Sequence, residues 1–203
     1  NAKDMNEIND VFYNGCLYGH VGIVELFLNN CDIDIDINNT KSKDGSTPLF
    51  VASQNGHIGV ATLLLGVEGI DSNQPWNKGW TPLYVAVQND HVDVVALLLN
   101  HDGIDINRAI TSEHTPLWQA TAKGLVPIVC LLLQQPNIDI DKKVAGYSAL
   151  GVATYYKKTE IIRLLVEAGA TPLPPPFSRG SVDQIGINTN KKCANEHGLI
   201  RFH

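Results

Sequence analysis

A short motif recurs at a fixed interval, and this periodicity constrains the fold more than any other feature of the chain. Three Thr-Pro-Leu triplets begin at Thr47, Thr81 and Thr115, so consecutive copies lie 34 residues apart. A weaker copy, Ser-Ala-Leu, begins at Ser148. Self-similarity at an interval of roughly 20–50 residues is the signature of a solenoid, a propeller or another repeat array. The sequence therefore predicts stacked copies of one small unit.

Two further columns of residues keep the same phase behind the triplets. One column is alanine, at Ala52, Ala86, Ala120 and Ala153. The other is a leucine pair, at residues 63–64, 97–98, 131–132 and 164–165. A small side chain lets neighbouring helices approach closely, and no single unit can bury its own leucine pair. The stack of units is therefore predicted to form the core.

Each unit is predicted to contain two short helices and an extended arm. The triplet threonine is a favourable helix cap, and the proline after it suits the first helical turn. The first helix is predicted to run roughly ten residues, as far as Gly56, Asp90 or Gly124. Pro127 falls in the first turn of a second helix, where it need not break that helix. The Ile-Asp-x-Asn tail alternates apolar and polar residues, which favours a half-buried extended arm.

This pattern closely resembles the ankyrin repeat, whose motif is Thr-Pro-Leu-His-x-Ala with a period of about 33. The resemblance covers roughly residues 5–170, including a degenerate upstream copy at residues 19–24 that is similar to residues 56–61. It implies an all-α solenoid of about five helix-turn-helix repeats joined by hairpin-like arms, with a C-terminal arm after them. The motif histidine, which ties the turn in the family, is replaced here by Phe50, Tyr84, Trp118 and Gly151. Packing is expected to substitute for it in the first three of these units.

The repeat phase also predicts the boundaries of the units. Residues 1–41 form a degenerate N-terminal repeat with a longer linker, and residues 143–170 form the C-terminal repeat. The three repeats between them span residues 42–75, 76–109 and 110–142. Residues 171–203 are Pro-rich at their start and show no further copy. We expect them to form an ordered arm rather than a flexible tail or the start of another domain.

Charge and hydropathy exclude several classes of protein. The 203 residues include 15 Lys and Arg against 21 Asp and Glu, a net charge of −6, which excludes a generally basic nucleic-acid binder. Residues 1–100 contain 4 basic and 12 acidic residues, whereas residues 101–203 contain 11 and 9. No apolar run is long enough for a membrane span or resembles a signal peptide. We expect an intracellular, cytoplasmic protein, or one inside a host cell if the chain belongs to a secreted effector.

The chain contains no signature of catalysis, and neither an enzyme activity nor a cofactor is expected. A phosphate-binding loop, a nucleophile elbow and a zinc-protease helix are all missing from the sequence. Two Cys-x3-His pairs, Cys16 with His20 and Cys193 with His197, have a spacing that suits zinc. The first pair occupies ordinary repeat positions and the second lies at the opposite end of the array, so no metal site is predicted.

Two sets of polar and aromatic residues are candidates for ligand contact. The aspartate column could suggest a cation ladder, but we interpret it as fixing tight turns through local hydrogen bonds; its members are Asp36, Asp71, Asp105 and Asp139. In the ankyrin family the residue before the triplet points toward a concave groove, as does the end of the first helix. The predicted partner-binding residues are Trp80, His114, Tyr147, Tyr155, Tyr156, Gln88, Asn89 and Lys123. Phe50, Tyr84 and Trp118 are expected to pack between units.

The resemblance implies a protein–protein interaction module that binds a polypeptide partner in its concave groove. Two alternatives stay open: a regulatory or targeting domain of a larger enzyme or host-directed effector, and an architectural spacer. The chain is predicted to bind neither nucleic acid nor membrane and to be monomeric by itself. Its acidic first half favours a partner with a basic end at that position.

Overall fold

The computed structural model describes residues 2–30, 35–38, 45–112, 114–144 and 146–172. Within these ranges ten α-helices follow one another in pairs, and no β-strand occurs. The pairs are α1 (Ala2–Leu17) with α2 (Val21–Leu28), α3 (Pro48–Gln54) with α4 (Ile58–Leu65), α5 (Pro82–Gln88) with α6 (Val92–Leu99), α7 (Pro116–Lys123) with α8 (Val126–Leu133), and α9 (Ala149–Tyr155) with α10 (Thr159–Glu167). The predicted all-α repeat fold is confirmed.

The triplet threonines cap their helices as predicted. The Thr47 hydroxyl accepts a hydrogen bond from the Phe50 N–H at 3.1 Å, which satisfies one of the amides left free at a helix start. The Ser148 hydroxyl accepts from the Gly151 N–H at 3.3 Å, so the cap persists where the triplet is degenerate. The same bond joins Thr81 to Tyr84 and Thr115 to Trp118.

A residue with positive φ separates the two helices of each pair. The φ angle is 73° at Gly56 and 82° at Gly124, values that suit glycine because it lacks a Cβ. Asp90 and Lys157 occupy the same position with φ angles of 60° and 55°. Because the chain leaves the helix before this residue, α3, α5 and α9 contain 7 residues and α7 contains 8, fewer than predicted.

The helices stack in two rows that share one core. The first helices of the pairs contact one another in chain order, and so do the second helices. The alanine column is fully buried, as is the second leucine of each pair. These burials confirm the prediction that the stack forms the core. The fully buried leucines are Leu64, Leu98, Leu132 and Leu165.

The arms before α5 and α9 each close at an isolated bridge instead of forming extended strands. The Trp76 N–H donates to the Trp80 carbonyl at 2.8 Å, and Val144 and Tyr147 exchange two backbone hydrogen bonds of 2.9 Å. The predicted alternation does not continue through the Ile-Asp-x-Asn segment, because the chain turns there. The Asp71 carboxylate accepts from the Asn73 N–H at 3.0 Å. The same bond joins Asp36 to Asn38 and Asp105 to Asn107, which confirms the turn-fixing role for these three of the four predicted aspartates.

An asparagine in each interior arm joins its unit to the next. The Asn73 side chain donates to the Gly103 carbonyl at 2.8 Å and accepts from the Asp105 N–H at 2.7 Å. Asp141 occupies the equivalent position in the last arm, where its carboxylate accepts from both the N–H and the hydroxyl of Thr171. The same pair of bonds joins Asn38 to Gly69 and Asp71, and Asn107 to Asn137 and Asp139. The predicted C-terminal arm lies outside the described residues beyond residue 172.

Candidate partner-binding surface

Three exposed tyrosines lie at the two ends of α9, the last helix in the row formed by the first helices of the pairs. Tyr155 and Tyr156, at the C-terminal end of α9, are 72% and 54% exposed, and their rings meet edge to face with centroids 5.1 Å apart. Tyr147, in the arm before α9, is 50% exposed. Tyrosine is among the residues that most often anchor protein interfaces, because one side chain combines a large apolar area with a polar hydroxyl. All three were predicted as contact residues, and all three are accessible.

Trp80 is only half-buried, but it belongs to a cluster of four aromatic rings. The Trp76 ring is tilted by 36° against that of Phe50 with centroids 5.2 Å apart, and Trp80 meets Trp76 at 6.1 Å and Tyr84 at 5.4 Å. Phe50 and Tyr84 are each only 2% exposed, which confirms that they pack between units. Trp80 therefore stabilises the array with part of its ring and leaves the remainder accessible.

His114 lies flat against Trp118. The two ring centroids are 4.0 Å apart and the ring planes differ by 3°. Partial burial lowers the pKa of His114, so the neutral imidazole predominates at neutral pH. Trp118 is half-buried rather than fully packed between units. The pair presents a polar ring edge beside an apolar face.

The predicted polar contact residues also join neighbouring units. The Asn89 side chain donates to the Gln54 carbonyl at 2.8 Å, and the Lys123 ammonium donates to the Gln88 carbonyl. The Gln88 side chain accepts from the Gln119 side chain at 2.6 Å. These bonds orient the side chains along the row of helix ends, a role that the sequence analysis did not include.

The histidines immediately before α4 and α6 make the same kind of contact. The Nε2 atom of His57 lies 3.0 Å from the Leu17 carbonyl, and that of His91 lies 2.9 Å from the Gln54 carbonyl. Leu125 occupies this position in the fourth pair and cannot form the bond. Lys123 supplies the donor instead. The sequence could have indicated this change, because residues 124–125 are Gly-Leu where residues 56–57 are Gly-His.

Ser46 directly precedes the first triplet, as Trp80, His114 and Tyr147 precede the later ones, but it differs from them in burial. It is fully buried, and its hydroxyl lies 2.6 Å from that of Tyr13. A buried serine offers a partner no contact surface. Exposure at this position increases along the chain, from buried Ser46 through half-buried Trp80 and His114 to exposed Tyr147.

The described residues provide no arrangement typical of a metal site. Cys16 is fully buried, and desolvation raises its pKa to about 12, which disfavours the thiolate that a metal requires. His20, its neighbour in the zinc-like pair, is exposed, while Cys193 and His197 lie outside the described residues. The part of the chain that the structure describes contains no group of three or more potential ligands. It also contains no helix with the length and apolarity needed to cross a membrane.

Comparison with known proteins supports the assignment from structure. The family model described as ankyrin repeats (3 copies) matches residues 12–110. A search of curated proteins found no significant match. The capped helix pairs and the buried alanine and leucine columns continue past the matched region as far as Glu167. Residues 12–110 are therefore similar to ankyrin repeats, and the helix pairs beyond them keep the same architecture.

Proposed function

We propose that the chain binds a polypeptide partner along the surface formed by its arms and the ends of its first-row helices, with no catalysis of its own. Ankyrin repeats are generally protein-interaction modules, and the family is typically non-catalytic. The observation that carries the proposal is the exposure of Tyr147, Tyr155 and Tyr156 on one unit. Each exposed ring leaves apolar area in water that a partner would cover.

The extent of the surface favours a polypeptide over a small molecule. Trp80, His114 and Tyr147 lie on three successive units, and stacked helices are separated by about 8–10 Å. The surface therefore spans roughly 20–30 Å, whereas a small molecule generally requires a closed, concave pocket. An extended segment or a helix of the partner fits this length.

The proposal is tested by affinity capture from a lysate with mass spectrometry, followed by binding measurements on the captured partner. Replacing both Tyr147 and Tyr155 with alanine removes two exposed rings without opening the core. Buried interface aromatics contribute about 2 kcal/mol or more each, so affinity should fall by at least about 100-fold. Trp80→Ala is a poorer test because it also removes packing against Trp76 and Tyr84.

Tyr18→Ala is the matched control. Tyr18 is 64% exposed directly after the end of α1 on the first unit, four units before the one that carries Tyr147 and Tyr155. This variant should bind the partner as the unchanged protein does. If the double variant binds with unchanged affinity, or if Tyr18→Ala causes the larger loss, the interface lies elsewhere on the array.

A further inference from the structure

The turns between the two helices of each pair form a row whose charge changes along the array. We define this turn row by the four residues that end at the N-cap of each second helix from α4 onward: 54–57, 88–91, 122–125 and 155–158. Counting Asp, Glu, Lys and Arg, the row contains no charged residue in the second pair, Asp90 in the third, Lys123 in the fourth, and both Lys157 and Lys158 in the fifth. Its basic end coincides with the exposed pair Tyr155 and Tyr156.

The backbone of Lys157 is in the left-handed region, which favours glycine over residues with a side chain. Its φ angle is 55°, and the equivalent residues Gly19, Gly56 and Gly124 have φ angles of 73°, 73° and 82°. Lysine gains nothing at this position from packing, because its side chain is exposed and makes no hydrogen bond or ion pair with the described residues. Backbone strain of this kind concentrates at functional sites. The ammonium group of Lys157 is therefore available for a contact outside the chain.

The two neighbouring lysines also lack a carboxylate partner in the part of the chain that is described. Lys158 extends over the preceding turn, where its Nζ lies 2.9 Å from the position that a Cβ on Gly124 would take. Lys123 donates to a carbonyl oxygen, which leaves its charge uncompensated. The nearest acidic residue along the chain, Glu160, is held by Arg163. Lys157 and Lys158 directly follow the two exposed tyrosines in the chain, and Lys123 lies in the equivalent turn of the preceding unit.

We propose that this tyrosine–lysine patch, made of Lys123, Tyr155, Tyr156, Lys157 and Lys158, binds an acidic segment of the partner polypeptide. The inference rests on the proposed function and names the class of partner. Carboxylates form charge-assisted hydrogen bonds with ammonium groups, and the tyrosines cover the apolar parts of the same segment. The net charge of −6 and the acidic first half favour a peptide over the continuous phosphate backbone of a nucleic acid.

The test uses a fluorescein-labelled peptide of about ten residues that alternates glutamate with leucine and serine, long enough to span two units. A second peptide replaces every glutamate with lysine. Fluorescence anisotropy should show binding of the glutamate peptide only, and this binding should weaken when the salt concentration is raised from about 0.05 to 0.3 M, because salt screens exposed charges.

Lys157→Gly is the decisive variant because it removes the charge and relieves the backbone strain together. We expect binding of the glutamate peptide to fall about tenfold, which corresponds to about 1.4 kcal/mol, while the melting temperature stays the same or rises. Asp90→Gly is the matched control: it relieves the same strain at the same turn position two units earlier. It should leave binding unchanged or slightly stronger.

Three results would overturn the proposal: equal effects of Lys157→Gly and Asp90→Gly, comparable binding of the lysine peptide, or tighter binding of a single-stranded oligonucleotide. Selection from a random peptide library separates this inference from the proposed function. Enriched peptides that are neutral or basic and depend on Tyr155 would overturn the acidic-segment inference alone. A selection that yields no peptide dependent on Tyr147 or Tyr155 would contradict the proposed function itself.

Discussion

The two ends of the second helix row expose opposite kinds of surface. In α2, Ile23 is 39% exposed and Leu26 is 73% exposed, whereas the equivalent Ile161 and Leu164 of α10 are 1% and 4% exposed. The solvent-facing side of α10 instead carries Arg163, which forms ion pairs with Glu160 and, at 2.9 Å, with Glu167. The second helix row therefore exposes aliphatic side chains at its N-terminal end and charged side chains at its C-terminal end.

This difference shows that burial in the array is decided by the neighbouring unit more than by the residue itself. Val60, Val94 and Ile128 occupy the position of Ile23 in interior units, and each is at most 1% exposed. All four side chains are aliphatic, so composition does not distinguish them. Stability in repeat proteins is approximately a sum of unit and nearest-neighbour terms. Equivalent substitutions should therefore have unequal effects in the interior and at the ends.

The largest effect is expected at an interior leucine. Leu98 is fully buried between neighbouring helices, and Leu98→Ala leaves a cavity that the surrounding helices cannot fill. We expect a loss of about 2–5 kcal/mol in the free energy of unfolding, measured by urea denaturation. A loss below about 1 kcal/mol would mean that interior and terminal leucines are equivalent.

An intermediate effect is expected where interior and terminal arms use different side chains. Asn73 needs both a donor and an acceptor because it contacts two backbone groups of the next unit, whereas Asp141 only accepts hydrogen bonds. Asn73→Asp removes the donor to Gly103 and places a carboxylate beside that carbonyl. We expect destabilisation of about 0.5–1.5 kcal/mol in urea melts. The reciprocal Asp141→Asn should cost less, and a larger cost there would reverse the comparison.

A small, salt-dependent effect is expected at the charged end. Arg163→Gln removes two partly exposed ion pairs, which contribute about 0.2–1 kcal/mol. The hydrogen bond from Arg163 lowers the pKa of Glu160 below its ordinary value of 4.5. The stabilisation is therefore fully present above that pH and is lost as the pH falls through the lowered pKa. Thermal melts of the variant and the unchanged protein should converge at acidic pH and at high salt.

The smallest effect is expected at the aliphatic end. Leu26→Gln replaces a side chain that is mostly in water, so the free energy of unfolding should change by no more than about 0.5 kcal/mol. Fluorescence of a dye that binds apolar surface should decrease, because the variant removes part of that surface. A loss above about 1 kcal/mol would show that Leu26 is covered in solution, and the contrast between the two ends would no longer hold.

The repeated pattern alone determined most of the fold. The interval between triplets predicted stacked helix pairs, the threonines predicted the helix starts, and the alanine and leucine columns predicted the core. These features could be predicted because caps and turns depend on residues within one helical turn of each other. The predicted first helices were too long. Each helix ends before the residue with positive φ, because the chain already turns ahead of that residue.

Contacts between units were decided only by the tertiary structure. The sequence placed Asn89 and Lys123 at helix ends but did not show that they bond to the carbonyls of Gln54 and Gln88. It identified Trp80 without revealing that Trp76 and Tyr84 cover part of its ring. These contacts join different units or depend on how an arm packs. Their geometry follows from the stacking of whole units, which no local pattern encodes.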